Sequence, residues 1–557
     1  MDYKWWKEAV VYQIYVRSFN DSNGDGIGDL QGVIKKIDYL DKLGVDVVWL
    51  NPVYESPDDD NGYDISNYKK ISDKFGDMND WNYLIKELHK RDIKLIMDLV
   101  VNHTSDEHRW FKKSFSKDSP YRDYYIWEKG GKNNPPNNWE SFFKGSAWEY
   151  DEKSKEYYLH LFSKKQPDLN WENKKVREEV YDIMKWWLDK GIDGFRMDVI
   201  NLISKNQKFC DGENEGLIGS EYFANGPRVH EYIQEMNEKV LSNYDLMTVG
   251  ETVMVSPEEG SKYVAAARNE LNMIIHFDHM GLDEGEDGKY SSPQKIDLLE
   301  LKKITTEWQY KLEEENGWHS NYLSNHDQPR MVSRFGDDDE YRVESAKMLA
   351  TFLHTIKGTP FIYQGEEIGM TNTVFESIEE MDDIDTINYF YDEKKKGNIN
   401  SFSEIKDILN YRTRDNARTP MQWNDEKNAG FTTGSPWLKV NQNYKKINVK
   451  KALSYENSIF YYYQKLIELR KENPVFVYGK YKLILEEDKE IYAYLREGKE
   501  EKLLVVLNFF EEESTFEIPD NIEYNNYELL ISNYNKEENK ISKIELKPYE
   551  SRVYKLK

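Results

Sequence analysis

The chain carries a single cysteine, Cys210, in 557 residues, so no disulfide can form within it. With no second Cys and no His at ligand spacing, Cys210 reads as a structural residue rather than a metal ligand. No run of about 18 apolar residues occurs, so no membrane-spanning helix is expected. The segment Met1–Lys7 has no apolar core and no small-residue cleavage site before the apolar run at 10–16. A soluble, cytoplasmic protein is the expectation. Positive charge is in deficit, with 76 Lys and Arg against 102 Asp and Glu and a formal net charge of −26. Nucleic acid and anionic membrane are thereby disfavoured as partners, because both select clustered Lys and Arg. No internal repeat is present.

What is abundant is length, charge and aromatic surface. A chain of 557 residues exceeds one compact core, and two to four domains are expected. Charged residues make up 32% and aromatics 14%, including 15 Trp and 41 Tyr. Aromatic faces are what sugar rings stack on, but large barrels are also rich in Trp. Composition alone leaves sugar binding open.

Strand-like and helix-like runs alternate from residue 10 to about 370. Strands are expected at 10–16, 45–53, 93–101, 192–199, 246–251, 271–277, 322–327 and 360–365. Helices are expected at 30–43, 81–90, 174–190, 230–241, 301–312, 341–354 and 459–470. Eight βα units imply an α/β fold closed as a (β/α)8 barrel. The barrel would take residues 1–103 and 171–480, with a small inserted domain at 104–170 after the third strand. Residues 371–455 intervene between the eighth strand and its helix, where they would shape the +1 and +2 subsites. Alternating runs beyond about 480 imply a C-terminal antiparallel β-sandwich over 481–557. The Lys- and Glu-rich stretches at 394–396 and 536–540 read as solvated loops.

Four segments carry the chemistry: Asp98-Leu99-Val100-Val101-Asn102-His103, Gly194-Phe195-Arg196-Met197-Asp198, Val249-Gly250-Glu251 and Asn325-His326-Asp327. Each follows a short β-branched or aromatic run. A barrel delivers catalytic groups in this way, from the C-terminal ends of successive strands. Three carboxylates, two histidines and an arginine at one mouth point to a glycosidase. Asp198 and Glu251 close adjacent strands, where the separation of roughly 5 Å used by retaining enzymes is within reach. Asp198 is then the nucleophile, kept ionised by Arg196, and Glu251 the acid and later the base.

These four segments resemble the signature regions of the α-amylase superfamily of retaining α-glycosidases. Gln166-Pro167-Asp168-Leu169-Asn170 resembles its fifth region, and Gly62-Tyr63-Asp64 and the run from Arg414 to Trp423 extend the likeness. It covers nearly the whole chain and is nearest to bacterial oligo-1,6-glucosidases and their relatives. The resemblance implies an exo-acting α-glucosidase that hydrolyses terminal α-1,6 bonds of isomaltose and short isomalto-oligosaccharides. It implies that Asp327 stabilises the transition state, that His103 and His326 bond the glucose hydroxyls, and that Tyr63 stacks on the ring. Asp64 and Arg414 would form an ionic pair at the non-reducing end, which blocks further sugar units. A monomer acting on a small oligosaccharide is expected.

Four rivals remain. An α-1,4-glucosidase shares every catalytic residue, but Val199 after the nucleophile favours α-1,6 linkages, whereas Thr252 after the acid/base is less typical. A bulky Val199 is expected to project near the aglycone and collide with an α-1,4-linked ring. A sucrose isomerase would carry an Arg- and Asp-rich loop where Gln328-Pro329-Arg330 stands. A trehalose-6-phosphate hydrolase fits the same motifs. A non-catalytic transporter subunit would lack the carboxylates and carry a membrane helix. Separately, Asp21-Ser22-Asn23-Gly24-Asp25-Gly26-Ile27-Gly28-Asp29 places oxygen ligands at alternate positions, as in the first half of an EF-hand loop. Its resemblance to calcium-binding loops of relatives implies a structural calcium ion held by Asp21, Asn23, Asp25, Asp29 and the Ile27 carbonyl.

Overall fold

The structure, a computed structural model, describes residues 3–285, 288–535 and 541–557. Eight parallel strands form the centre: β1 (Val11–Ile14), β2 (Val47–Leu50), β3 (Lys94–Val100), β4 (Gly194–Asp198), β5 (Met247–Glu251), β6 (Met273–Ile275), β7 (Ser320–Asn321) and β8 (Thr359–Tyr363). They pair in the order β6-β5-β4-β3-β2-β1-β8-β7. A parallel bridge between Ile274 and His319 closes the ring, supported by Ser320 Oγ donating to the Ile274 carbonyl at 2.6 Å. Parallel strands covered on both faces read as continuous apolar runs. The four residues of β2, Val47-Val48-Trp49-Leu50, are buried throughout.

Helices coat the barrel through apolar stripes at helical spacing. Lys174–Leu188 buries Val176, Val180, Ile183, Met184 and Trp187, and Asn173 caps it by accepting from Lys175 N. Each such side chain contributes about 1.5–3 kcal/mol on full burial. Gly194 begins β4 at φ +153, where a Cβ would lie 1.9 Å from the Met247 carbonyl. Glycine is what lets β4 approach β5, and those two strands end in Asp198 and Glu251.

Several sequence expectations change. The seventh strand is Ser320–Asn321 rather than 322–327, so Asp327 stands on the loop beyond it. Backbone pairing ends at Asn321, and Tyr322 beyond it is anchored by its side chain, whose hydroxyl donates to the His276 carbonyl at 2.6 Å. The helix expected at 30–43 divides into Leu30–Ile34 and Ile37–Leu43, since Lys36 between them has non-helical angles. Residues 394–396 end the helix Ile384–Lys396 instead of forming a loop. Three lysines there face the negative end of the helix dipole. The stretch 536–540 lies outside the described residues. Cys210 is exposed, so its thiol fills no core space, although its carbonyl accepts from Trp139 Nε1 at 2.9 Å.

The inserted domain holds a three-stranded antiparallel sheet of Trp127–Lys129, Glu156–Leu159 and Trp148–Asp151. Its core joins Trp139, Trp148, Leu159 and Leu161 to Val199, Leu202 and Phe223, which belong to the segment after β4. The 371–455 insertion builds a core of its own from Phe375, Phe390, Leu409 and Leu438. Arg330 fastens it to the barrel by donating to the carbonyls of Gln364, Asn416 and Ala417. At the C-terminus a five-stranded antiparallel sheet packs against the pair Ser514–Glu517 and Lys543–Leu546. Among the described residues no helix is long and apolar enough to cross a membrane.

Candidate active site

Arg196 lies at the centre of the barrel mouth and is 1% exposed. Its NH1 donates to Asp98 Oδ1 at 2.5 Å and to Asp198 Oδ1 at 2.7 Å, and its NH2 stands 2.7 Å from Glu251 Oε2. One guanidinium therefore spans carboxylates from β3, β4 and β5, which the ladder registers hold side by side. Burial pushes the Asp198 carboxyl well above its ordinary value; Arg196 opposes this, and Glu251 and Asp98 add to it. Three carboxylates around one cation leave excess negative charge, which opposes ionisation of Asp198. Two carboxyl groups at adjacent strand ends are the arrangement a retaining displacement uses.

Asp98 is the partner that sequence reasoning missed. It is fully buried, and its Oδ2 accepts from Trp49 Nε1 at 2.7 Å. The motif contained it, but only its position one strand from Arg196 reveals its role.

Asp327 is joined to this centre through two rings. Tyr63 lies under Arg196, with 5.7 Å from the guanidinium carbon to the ring centroid, and stacks on His326 at 5.2 Å and 11°. His326 Nδ1 accepts from Gln13 Nε2 at 2.9 Å, which leaves the ring proton on Nε2, 3.0 Å from Asp327 Oδ2. Arg414 and Arg418 donate to Asp327 Oδ1 at 3.2 and 2.9 Å. Burial opposes the Asp327 charge, but His326, Arg414 and Arg418 hold its carboxyl well below the usual range. His103 is 1% exposed, and its Nε2 lies 3.2 Å from the Tyr63 carbonyl and from Gln166 Nε2. Burial brings His103 down to about 4, so its ring is neutral near pH 7. Behind it, Lys205 Nζ bonds Asp168 Oδ2 and Asn102 Oδ1, both at 2.7 Å, tying the inserted domain to the motif on β3.

One assignment is corrected. Asp64 does not face Arg414. Its carboxylate caps its own turn, accepting from Ser56 Oγ at 2.9 Å, Asp59 N at 3.0 Å and Asp60 N at 3.2 Å. The carboxylate opposite Arg414 belongs to Asp60, with its Oδ1 3.6 Å from Arg414 NH2. Both of these atoms are buried without a hydrogen-bond partner in the protein. Unpaired buried donors and acceptors are rare and mark where a ligand's polar groups belong. Arg414 is held in place from behind by Asp383, which accepts from its Nε at 2.7 Å.

The Asp21–Asp29 loop forms a separate feature packed against the 371–455 insertion, with Asp21 N donating to the Phe431 carbonyl at 3.0 Å. Asp21 accepts from the amides of Asn23, Gly24 and Gly26, Asn23 from Asp25, and Asp25 from Ile27. Asp29 accepts from Ser22 N and Gly32 N and caps the helix Leu30–Ile34. Among the described residues no group of three or more His, Cys, Asp or Glu is arranged to hold a metal ion.

Comparison with known proteins agrees with this geometry. Residues 13–479 match the alpha amylase catalytic domain family, and residues 491–553 match the alpha-amylase SusG C-terminal domain. The chain is 61% identical to an oligo-1,6-glucosidase of Parageobacillus thermoglucosidasius, over all of both chains. It is 60% identical, again over both full lengths, to an oligo-1,6-glucosidase of Bacillus cereus. The crystal structure of Bacillus licheniformis trehalose-6-phosphate hydrolase superposes over both full chains with a TM-score of 0.94 at 50% identity. The chain belongs to the alpha-amylase family of glycoside hydrolases.

Proposed function

We propose that this protein is an exo-acting retaining α-glucosidase that removes glucose from the non-reducing end of isomaltose and short isomalto-oligosaccharides. The observation that carries this reading is the Arg196 guanidinium shared by Asp198 and Glu251 at adjacent strand ends. Asp198 attacks the anomeric carbon from the face opposite the leaving sugar, and Glu251 delivers its proton to the glycosidic oxygen. The bond to the aglycone breaks and a β-glucosyl ester forms on Asp198. Water then attacks as Glu251 takes its proton, and glucose leaves with its α configuration restored. Asp327, kept ionised by its cationic neighbours, stabilises the positive charge that develops on the ring.

Asp60 and Arg414 support exo action. Their unpartnered atoms suit the hydroxyls at the far end of one glucose, and an ionic pair across that end would block a further sugar unit. The α-1,6 preference is supported by identity to relatives named oligo-1,6-glucosidase. Hydrolysis of isomaltose, maltose, sucrose and trehalose-6-phosphate, measured side by side, tests it. A kcat/KM for isomaltose at least about tenfold above the others is expected. Equal values for maltose would favour an α-1,4-glucosidase, and preference for the phosphorylated sugar a trehalose-6-phosphate hydrolase.

Three further expectations belong to this reading. A calcium ion held by Asp21, Asn23, Asp25, Asp29 and the Ile27 carbonyl would stabilise the fold without entering the chemistry, since these are hard oxygen donors. A monomer would suffice for this chemistry, because one chain supplies every proposed site residue. A cytoplasmic setting fits its one free thiol.

A further inference from the structure

Gln13 lies within β1, its backbone registered against both β2 and β8. Its side chain is buried, and one nitrogen serves two neighbours: Nε2 donates to His326 Nδ1 and to Asn51 Oδ1, both at 2.9 Å. Asn51 stands one residue past β2, where its own N–H donates to the Ile14 carbonyl at 3.1 Å. From there its Nδ2 donates to the Tyr63 hydroxyl oxygen at 2.7 Å. Because Tyr63 also stacks on His326, the four side chains form a closed frame. A carboxamide nitrogen carries two hydrogens and no acceptor, so it dictates the polarity of what it touches. His326 Nδ1 and Asn51 Oδ1 must both accept. Asn51 then presents its nitrogen to Tyr63, whose oxygen accepts and whose own hydrogen is left to donate elsewhere. Charge disfavours the opposite setting. With Gln13 Oε1 in that place, His326 would carry its proton on Nδ1 and turn a bare Nε2 towards Asp327 Oδ2, 3.0 Å away. Burial notwithstanding, Asp327 stays ionised, so two acceptors would face each other.

We propose that Gln13 is a positioning residue of the glucose pocket: one amide, acting directly on His326 and through Asn51 on Tyr63, sets the His326 Nε2–H and the Tyr63 O–H as donors there. Neither Gln13 nor Asn51 needs to touch the sugar. The frame is built before the sugar arrives, so less ordering is left for the reaction itself. The inference rests on the reading of this pocket as the site of the released glucose, but the polarity belongs to the free protein and is tested there.

The ring nitrogens of His326 report the frame directly. In nitrogen NMR spectra of histidine-labelled protein, with His326 identified by the signals lost in His326→Gln, Nε2 should be protonated and Nδ1 bare. A proton resident on Nδ1 would overturn the proposal. Kinetics then separate positioning from packing. Gln13→Met keeps the length of the side chain without its donors. It should lower kcat/KM by about tenfold on isomaltose and α-glucosyl fluoride alike, because the two share the glucose ring and differ only in what leaves. In a His326→Ala background the same change should cost about threefold, what remains being its action through Asn51. Equal penalties in both backgrounds would overturn the proposal in favour of a packing role, and so would a loss below about threefold in Gln13→Met by itself. Asn51→Leu carries the same test if Gln13→Met does not fold: about tenfold by itself, and within about threefold beside Tyr63→Phe. A wild type that hydrolyses neither substrate would remove the α-glucosidase reading, while the proton on His326 would still decide the polarity of the frame.

Discussion

Arg196 is surrounded by Asp98, Asp198 and Glu251, and this crowding defines what each can do. On the proposed reading, removing Asp198 takes away the nucleophile while leaving the cation paired with the other two. Asp198→Ala should lose several orders of magnitude in turnover. Azide should then enter from the vacated face and convert α-glucosyl fluoride into β-glucosyl azide. An α-configured azide, or wild-type-like hydrolysis, would remove Asp198 from its role. The pair at strand ends was legible because a strand fixes the direction of its last side chain. Asp60 was not. It sits in a turn with Asn61 at φ +49 and Gly62 at φ +102, and hydrogen bonds rather than periodicity choose which acid faces inward. Asp64 was chosen from the same motif and proves to be the turn's cap.

At the scale of elements, strand existence was legible but strand ends were not. Apolar runs overstate a strand wherever the chain stays buried after leaving the ladder, as it does from Tyr322 to His326. Two elements yield tests. If the Asp21–Asp29 loop binds calcium, chelation should lower the melting temperature, and Asp25→Ala should abolish that sensitivity, because a ligand bound only to the native state adds stability by mass action. An unchanged melting temperature with no metal in the purified protein would leave the loop a hydrogen-bonded turn. The second element is the helix Arg342–Thr355, which buries His354 completely. Burial brings His354 down to about 3, although the Ala350 carbonyl it bonds favours the charged ring. An unfolded histidine takes up its proton near pH 6.5, about 1.4 kcal/mol per pH unit being the linked cost. Below that pH the unfolded state holds one proton more than the native state, so the stabilisation present above it is lost as pH falls towards the folded value. The stability advantage of wild type over His354→Gln should therefore shrink by about 2 kcal/mol between pH 7 and 5 in chemical denaturation. A difference independent of pH would mean that His354 titrates normally.

For the whole molecule, alternation of strand and helix predicted the barrel because eight apolar strands need covering on both sides. Cores shared across segments were hidden. No local pattern links Val199, Leu202 and Phe223 to Trp139 and Trp148, yet together they join the inserted domain to the strand end that bears Asp198. The insertion at 371–455 was equally opaque, and it supplies Arg414 and Arg418, which hold Asp327 ionised, and Asp383, which holds Arg414 in place. On the proposed reading, retention, cleavage from the non-reducing end and α-1,6 preference can be read together. Proton NMR of isomaltotriose during the first minutes of hydrolysis should show α-glucose and isomaltose appearing together, before mutarotation, while maltotriose under the same conditions stays largely intact. β-Glucose as the first product, or faster cleavage of maltotriose, would contradict a retaining exo-α-1,6-glucosidase.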